Sequence, residues 1–182
     1  MMGIIDTCSL VAIARYYLSL KDKNNLLEFL ESKFRSRELV LLSTVHKEAS
    51  FTQKGIAISL MKFLDDKTLH IKDSDLTPPS PRKFSNLMDN NFCIPVLRKN
   101  ISDEQYAQQK ECHMKTADIR MVIFALRNAD SNPVIITEET PQNNDGKLFK
   151  KIPTICDQLE IKHMTVTEWL NKSGVTLNWT LP

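Results

Sequence analysis

Five acidic residues stand where short apolar runs give way to polar residues, or where a helical face turns inward. Asp6 closes the run Gly3-Ile4-Ile5 and is followed by Thr7, Cys8 and Ser9. Glu48 lies early in a helix-prone stretch after the apolar run Leu39 to Leu42. Asp118 shares a helical face with Met121, Val122 and Ala125, the face expected to pack inward. Glu138 and Glu139 follow Val134-Ile135-Ile136 and Thr137. A buried carboxylate needs a cation, strong hydrogen bonds or a proton. Several brought together raise one another's pKa unless a cation lies among them. Mg²⁺ and Mn²⁺ prefer oxygen ligands. Held by carboxylates, such an ion activates water and clamps phosphoryl oxygens, so phosphodiester hydrolysis is the matching chemistry.

Each acid also has a plain structural reading. Asp6 can cap the helix that follows it. Glu48 can be an ordinary acid of a helix's first turns. Asp118 can favour its helix dipole or pair with Lys115. Glu138 and Glu139 can be solvated loop acids, with at most one of them pointing inward.

The elements that must position these acids alternate between strand and helix. Short apolar runs at Gly3 to Ile5, Leu39 to Leu42 and Val134 to Ile136 read as buried strands, with weaker ones at Leu69 to Ile71 and Ile161 to Met164. Helical spacing covers Leu10 to Leu20, with Ser9 as its expected N-cap. A second helix carries Leu26, Leu27, Phe29 and Leu30, and a third, capped by Ser43 or Thr44, carries Val45, Glu48 and Ala49. Gly55 interrupts that helix before Ile56 to Leu64, and Thr77 to Pro81 breaks regular structure. Further helices are expected from Ile101 to Glu111, Lys115 to Ala129 and Pro153 to Leu159, with a last one capped by Thr165 or Thr167. The polar stretch Pro141 to Lys147 is a loop, and Thr176 to Pro182 is left as a tail. The alternation argues an α/β fold with a central, mainly parallel sheet. Ligand pockets of such sheets lie beyond the carboxyl ends of the strands, where Asp6 falls.

Composition narrows the class. With 182 residues the chain is most simply one domain, residues 1–182. Its 42% apolar and 25% charged content is that of a soluble globular protein. A net charge of +2 does not argue nucleic-acid binding by itself, but it can hide an acidic pocket inside a basic rim. Cys8, Cys93, Cys112 and Cys156 form no C-x-x-C pair and read as reduced thiols of a cytoplasmic protein. No apolar run approaches membrane-spanning length, so no membrane contact is expected.

Four segments carry a family likeness: IIDTCSL at Ile4 to Leu10, TVHKEA at Thr44 to Ala49, KTADIRMVIFAL at Lys115 to Leu126 and VIITEE at Val134 to Glu139. In this order they resemble the PIN-domain family of metal-dependent ribonucleases, which includes the toxins of VapC-type toxin–antitoxin pairs. The likeness runs to about Leu170. It is nearest to a larger PIN-like branch with Thr-Glu-Glu at the fourth site and a K-I-P-x-x-C segment, here Lys151 to Cys156. The resemblance implies a PIN-like three-layer α/β/α sandwich in which residues 74–100 are a family-variable insertion. It implies that Asp6, Glu48, Asp118 and Glu139 are catalytic and hold Mg²⁺ or Mn²⁺, with Glu139 at the fourth place because it stands two after Thr137 and Glu138 its rival. Thr7, Ser9 and Thr137 would support them.

Two departures stand out. Cys8 occupies a position where many relatives have Ser or Asn, so the supporting hydroxyl falls to Ser9 or Thr7. Many relatives have Asp at the fourth site, and the longer Glu139 would bind through a water. A haloacid-dehalogenase phosphatase also begins with a strand and an Asp, but needs a second Asp where this chain has Cys8.

The expected function is a metal-dependent endoribonuclease, and the resemblance extends to the toxin of a toxin–antitoxin pair. RNA is then the substrate, held at the rim by Lys47, Lys115, Arg120 and Lys147, each of which alone also reads as a solvated charge. The family implies a cognate antitoxin and a homodimer as partners. The alternative is a catalytically weak or inactive PIN-like module that works by binding protein.

Overall fold

The computed structural model describes residues 1–18, 23–142 and 146–175. Its centre is strand β1 (Met2–Ile5), flanked by β2 (Leu39–Leu42) and β4 (Pro133–Ile136), with β3 (His70–Ile71) and β5 (Lys162–Met164) at the edges. The order is β3-β2-β1-β4-β5 and every pairing is parallel. Gly3 sits opposite Leu39 on one side and Val134 on the other. Strands buried on both faces read as unbroken apolar runs rather than alternating ones, which is why LVLL and PVII were legible. Gly3 is required by close approach: a Cβ there would lie 2.8 Å from Ile136 Cδ1 and 3.1 Å from Leu39 Cδ1.

Helices cover both faces, giving the three-layer α/β/α sandwich. On one side α1 (Thr7–Ala12) packs on α3 (Ser43–Phe51), and α3 on α8 (Ala117–Arg127). On the other, α2 (Lys23–Arg35) and α10 (Val166–Lys172) meet through Phe29 and Trp169, whose rings lie 5.9 Å apart. Trp169 is core, 2% exposed. Between these come α4 (Ile56–Leu60), α5 (Pro81–Leu87), α6 (Pro95–Arg98), α7 (Asp103–Met114) and α9 (Ile152–Leu159).

Several expected helix starts are moved by tertiary contacts. The first helix begins at Thr7, not Leu10, and Asp6 caps it by accepting from Thr7 N at 2.6 Å. Ser9, the expected cap, lies inside the helix, where its Oγ donates to Ile136 O at 3.0 Å. The helix then widens into a π turn over Ile13–Tyr17. Residues 19–22, the end of the expected Leu10 to Leu20 helix, lie outside the described residues.

At α3 neither Ser43 nor Thr44 caps with its own side chain. The carboxylate of Asp73, 1% exposed and distant in sequence, accepts from Thr44 N at 3.3 Å and from the Thr44 hydroxyl. Other starts are local and follow expectation. Ser102 and Thr165 head capping boxes with Gln105 and Glu168. The tail, including Trp179, lies outside the described residues.

Residues 74–100 belong to the common core. Phe84, Met88, Phe92 and Cys93 are buried in the same cluster as the sheet. Fully burying each such large apolar side chain contributes about 1.5–3 kcal/mol. No helix among the described residues is long and apolar enough to cross a membrane.

Candidate functional site

The strand order reverses direction at β1: β2 and β3 lie on one side, β4 and β5 on the other. A crevice opens beyond the carboxyl ends of strands at such a switch point. The residues that leave β1 and β4 there are Asp6 and Thr137-Glu138-Glu139. Asp6, Glu138 and Glu139 line a pocket of about 380 Å³, completed by Glu48 of α3 and Asp118 of α8. All five acids singled out in the sequence therefore face one cavity.

Asp6 is the most constrained. It is 4% exposed and accepts three hydrogen bonds: Thr7 N at 2.6 Å, Cys8 Sγ at 2.7 Å and Thr137 Oγ1 at 2.9 Å. The carboxylate that caps α1 is thus the same one that lines the pocket. Burial raises its pKa to about 6 with help from the charge of Glu139, against the opposing effect of its three donors. Asp118 is half-buried, and its pKa is raised to about 7, first by burial and then by the charges of Asp6, Glu139 and Glu48. Lys147 pulls it the other way.

The two glutamates after Thr137 have different partners. Glu138 accepts from Val166 N at 2.7 Å and so helps to close the start of α10. Glu139 carries the charge that raises Asp6 and Asp118, and it accepts from Ile152 N at 3.4 Å. The Glu139 N–H donates to Thr137 Oγ1 at 3.1 Å, so one threonine hydroxyl joins the two acids.

The supporting group expected from Ser9 or Thr7 is instead a thiol. Cys8 donates to Asp6, lies 3.4 Å from Thr137 Oγ1 and accepts from Glu138 N at 3.2 Å. Burial and the Asp6 charge push its pKa well up, so it stays a protonated donor. Ser9 cannot serve, because its position on α1 turns its hydroxyl to the Ile136 carbonyl. Thr7 offers its backbone N–H, while its Oγ1 is buried and has no hydrogen-bond partner among the described residues.

Among the expected basic residues, Lys147 lines the pocket. Lys115 is exposed, pairs with Glu111 at 2.6 Å and does not line it. Arg120 is turned inward, donating to Leu76 O at 2.7 Å, so it is a brace for the segment after β3 rather than a rim cation. Lys47 is exposed and outside the lining.

Residues that the sequence reading passed over also line the cavity: Arg15, Tyr16, Thr52 and Gln53. A signal existed for the first two. Thr7, Val11 and Arg15 recur every four residues, as do Cys8, Ala12 and Tyr16, and all six line the pocket. Gln53 had no such signal. It is placed by a left-handed turn over Gln53, Lys54 and Gly55, with φ of 50°, 60° and 70°. At Gly55 a Cβ would lie 2.8 Å from Ser50 O, so this turn needs glycine there.

The donor set suits a hard divalent cation. The acids offer only oxygen ligands, and the orphaned Thr7 hydroxyl is a buried polar atom at the cavity wall. Among the described residues no group of three or more His, Cys, Asp and Glu is already arranged to hold a metal ion.

Fold and site together define a class: a parallel α/β/α sandwich with a carboxylate-lined pocket at its switch point. The chain belongs to the family described as Domain of unknown function (DUF4411), whose model matches residues 4–177. The comparison with curated proteins finds no match.

Proposed function

We propose that the chain is a Mg²⁺- or Mn²⁺-dependent endoribonuclease of the PIN type, hydrolysing RNA phosphodiester bonds. The observation that carries this reading is the meeting of Asp6, Glu48, Asp118 and Glu139, from four separate segments, at one pocket where burial and mutual charge hold Asp6 and Asp118 above the ordinary range. Carboxylates kept together at that cost suit a site whose working form contains a cation. Such a cation supplies a more acidic water and compensates charge on phosphate oxygens.

The protein's own groups do the rest. Thr7 N, Cys8 and Thr137 hold the Asp6 carboxylate in one orientation. Glu138 is engaged with α10, which favours Glu139 as the fourth acid. Arg15 and Lys147 line the pocket and offer positive charge to the RNA backbone. If the protein is a toxin, its partners are RNA and a cognate antitoxin, in a cytoplasmic setting, with a second copy as homodimer.

The test is cleavage of varied single-stranded and structured RNAs by the purified chain with Mn²⁺. Asp6→Asn and Asp118→Asn are expected to lose cleavage; unchanged activity in either overturns the assignment. The second reading is a protein-binding module, favoured by the lack of a ready metal cage among the described residues. A wild type that cleaves none of these RNAs supports it.

A further inference from the structure

A second cavity, of about 560 Å³, opens beside the acid pocket and shares Asp118, Glu139 and Lys147 with it. Its volume is in the range of small-molecule sites, about 300–1,000 Å³. One wall is α7, which contributes Gln108 and Gln109; the other is the strip around Lys147, Phe149 and Lys150.

Both walls are held from behind by residues 85–94. Lys110 donates to Asp89 and Ser85, and Tyr106 to Asp89, which ties down α7. Ile94 N donates to Leu148 O at 2.9 Å and Lys150 N to Phe92 O at 2.8 Å, which ties down the strip. Residues 85–94 thus brace this second cavity.

The lining has a definite chemistry. Gln108 and Gln109 are exposed and make no hydrogen bond among the described residues, so each amide offers both donors and an acceptor. Lys150 forms no ion pair among the described residues. His113 stacks flat on Phe149, rings 4.3 Å apart and 4° from parallel, and its Nε2 is buried with no hydrogen-bond partner among the described residues. Burial and the Lys147 charge lower the His113 pKa to about 4, so the ring is neutral at pH 7. Cationic groups for phosphate and amides for a base edge are features by which unpaired nucleotides are held.

We infer that this second cavity seats the nucleotide adjoining the phosphate at the acid pocket. Lys150 holds its backbone, and Gln108 and Gln109 read its base. The subsite rests on the ribonuclease reading for its substrate and selects a single strand, because a paired base has no free Watson–Crick edge to offer the two amides.

The test uses the full chain and a short fluorescent single-stranded RNA of mixed sequence, with binding followed by anisotropy in EDTA, so that cleavage is silent. Lys150→Ala is expected to weaken binding and to lower the slope of log Kd against log salt by about 0.7, the value for one lost phosphate contact on a single strand. Gln108→Ala with Gln109→Ala is expected to weaken binding about fivefold to tenfold, with the salt slope unchanged, as for one or two lost polar contacts. Against homopolymers the double variant should lose the wild type's preference. All three positions are at the surface or half-buried, and circular dichroism checks the fold.

Wild-type affinity and slope in both variants overturn the inference, as does an equal loss in Lys172→Ala, a lysine of α10 that is not part of this lining. Metal-dependent cleavage by a wild type whose binding ignores Lys150, Gln108 and Gln109 overturns the subsite and leaves the ribonuclease reading. Site-specific loss of binding in a chain that cleaves nothing supports the subsite and overturns the ribonuclease.

Discussion

Replacing Asp118 by Asn should make the metal-free protein more stable and remove its stabilisation by metal. The Asp118 pKa is raised to about 7 from an ordinary 3.8, because the half-buried residue has its carboxyl withdrawn from water and facing the charges of Asp6, Glu139 and Glu48. At about 1.4 kcal/mol per pH unit between the two values, ionised Asp118 costs the fold roughly 4 kcal/mol. Below about pH 4 the carboxyl is protonated in both folded and unfolded chains, and the cost is absent. It grows as the pH rises through the window from about 4 to 7 and is complete above it. An Asn amide at this place carries no charge but leaves polar atoms imperfectly paired, at about 1–2 kcal/mol. The net gain is roughly 2–3 kcal/mol above about pH 8, or about 5–10 °C in melting temperature for a chain of this size.

Mn²⁺ should act in the opposite sense. At a hundred times its Kd it stabilises the wild type by about 2.7 kcal/mol, and the variant by little. Thermal melts of both proteins in EDTA and in Mn²⁺, at about pH 5 and about pH 8.5, read all four quantities against the predicted window. A variant that melts below the wild type in EDTA at the higher pH refutes the electrostatic account. Equal gains from Mn²⁺ in the two proteins refute the metal site.

Glu139→Gln should abolish Mn²⁺-dependent cleavage, whereas Glu138→Gln should retain it and lower stability by about 1 kcal/mol through the weakened bond to Val166 N; parallel cleavage and melting assays separate the two. Cys8→Ser keeps a donor to Asp6 and should keep most of the activity. Cys8→Ala leaves Asp6 with two of its three donors and should reduce cleavage further, so equal activity in the two variants counts against a positioning role for the thiol. Asp73→Ala strips the buried start of α3 of its acceptor and should cost about 1–3 kcal/mol in urea unfolding, with no direct effect on metal binding.

Much of the candidate site was legible because three of its acids stand out locally, whereas Glu48 reads as an ordinary helix acid. Asp6 and Glu139 follow short apolar runs, and Asp118 breaks an otherwise apolar helix face. Parallel strands bury both faces, so IIDT and VIIT carry their strand assignment in a few residues. What could not be read was partnership. The Ser43-Thr44 pair looks like a cap, yet the capping carboxylate is Asp73. Arg120 looks like a rim cation beside Asp118, yet half a helical turn of rotation sends it to the Leu76 carbonyl. Only the resemblance ranked Glu139 above Glu138, because the partner that engages Glu138 comes from α10, distant in sequence.

Cys8 shows the division clearly. Read along the chain it was a departure that removed a hydroxyl from beside Asp6. In the fold the thiol itself is the donor, because Thr137 and the Glu138 N–H arrive from β4 to complete its surroundings. Periodicity and residue type, which act over a few residues, determined the strands, most helices and the identity of the acids. Which side chains meet, which carboxylate bears its neighbours' charge, and that residues 74–100 brace a second cavity depend on contacts between distant segments. Those contacts follow from the order of the strands and the packing of the layers, and only the tertiary structure supplies them.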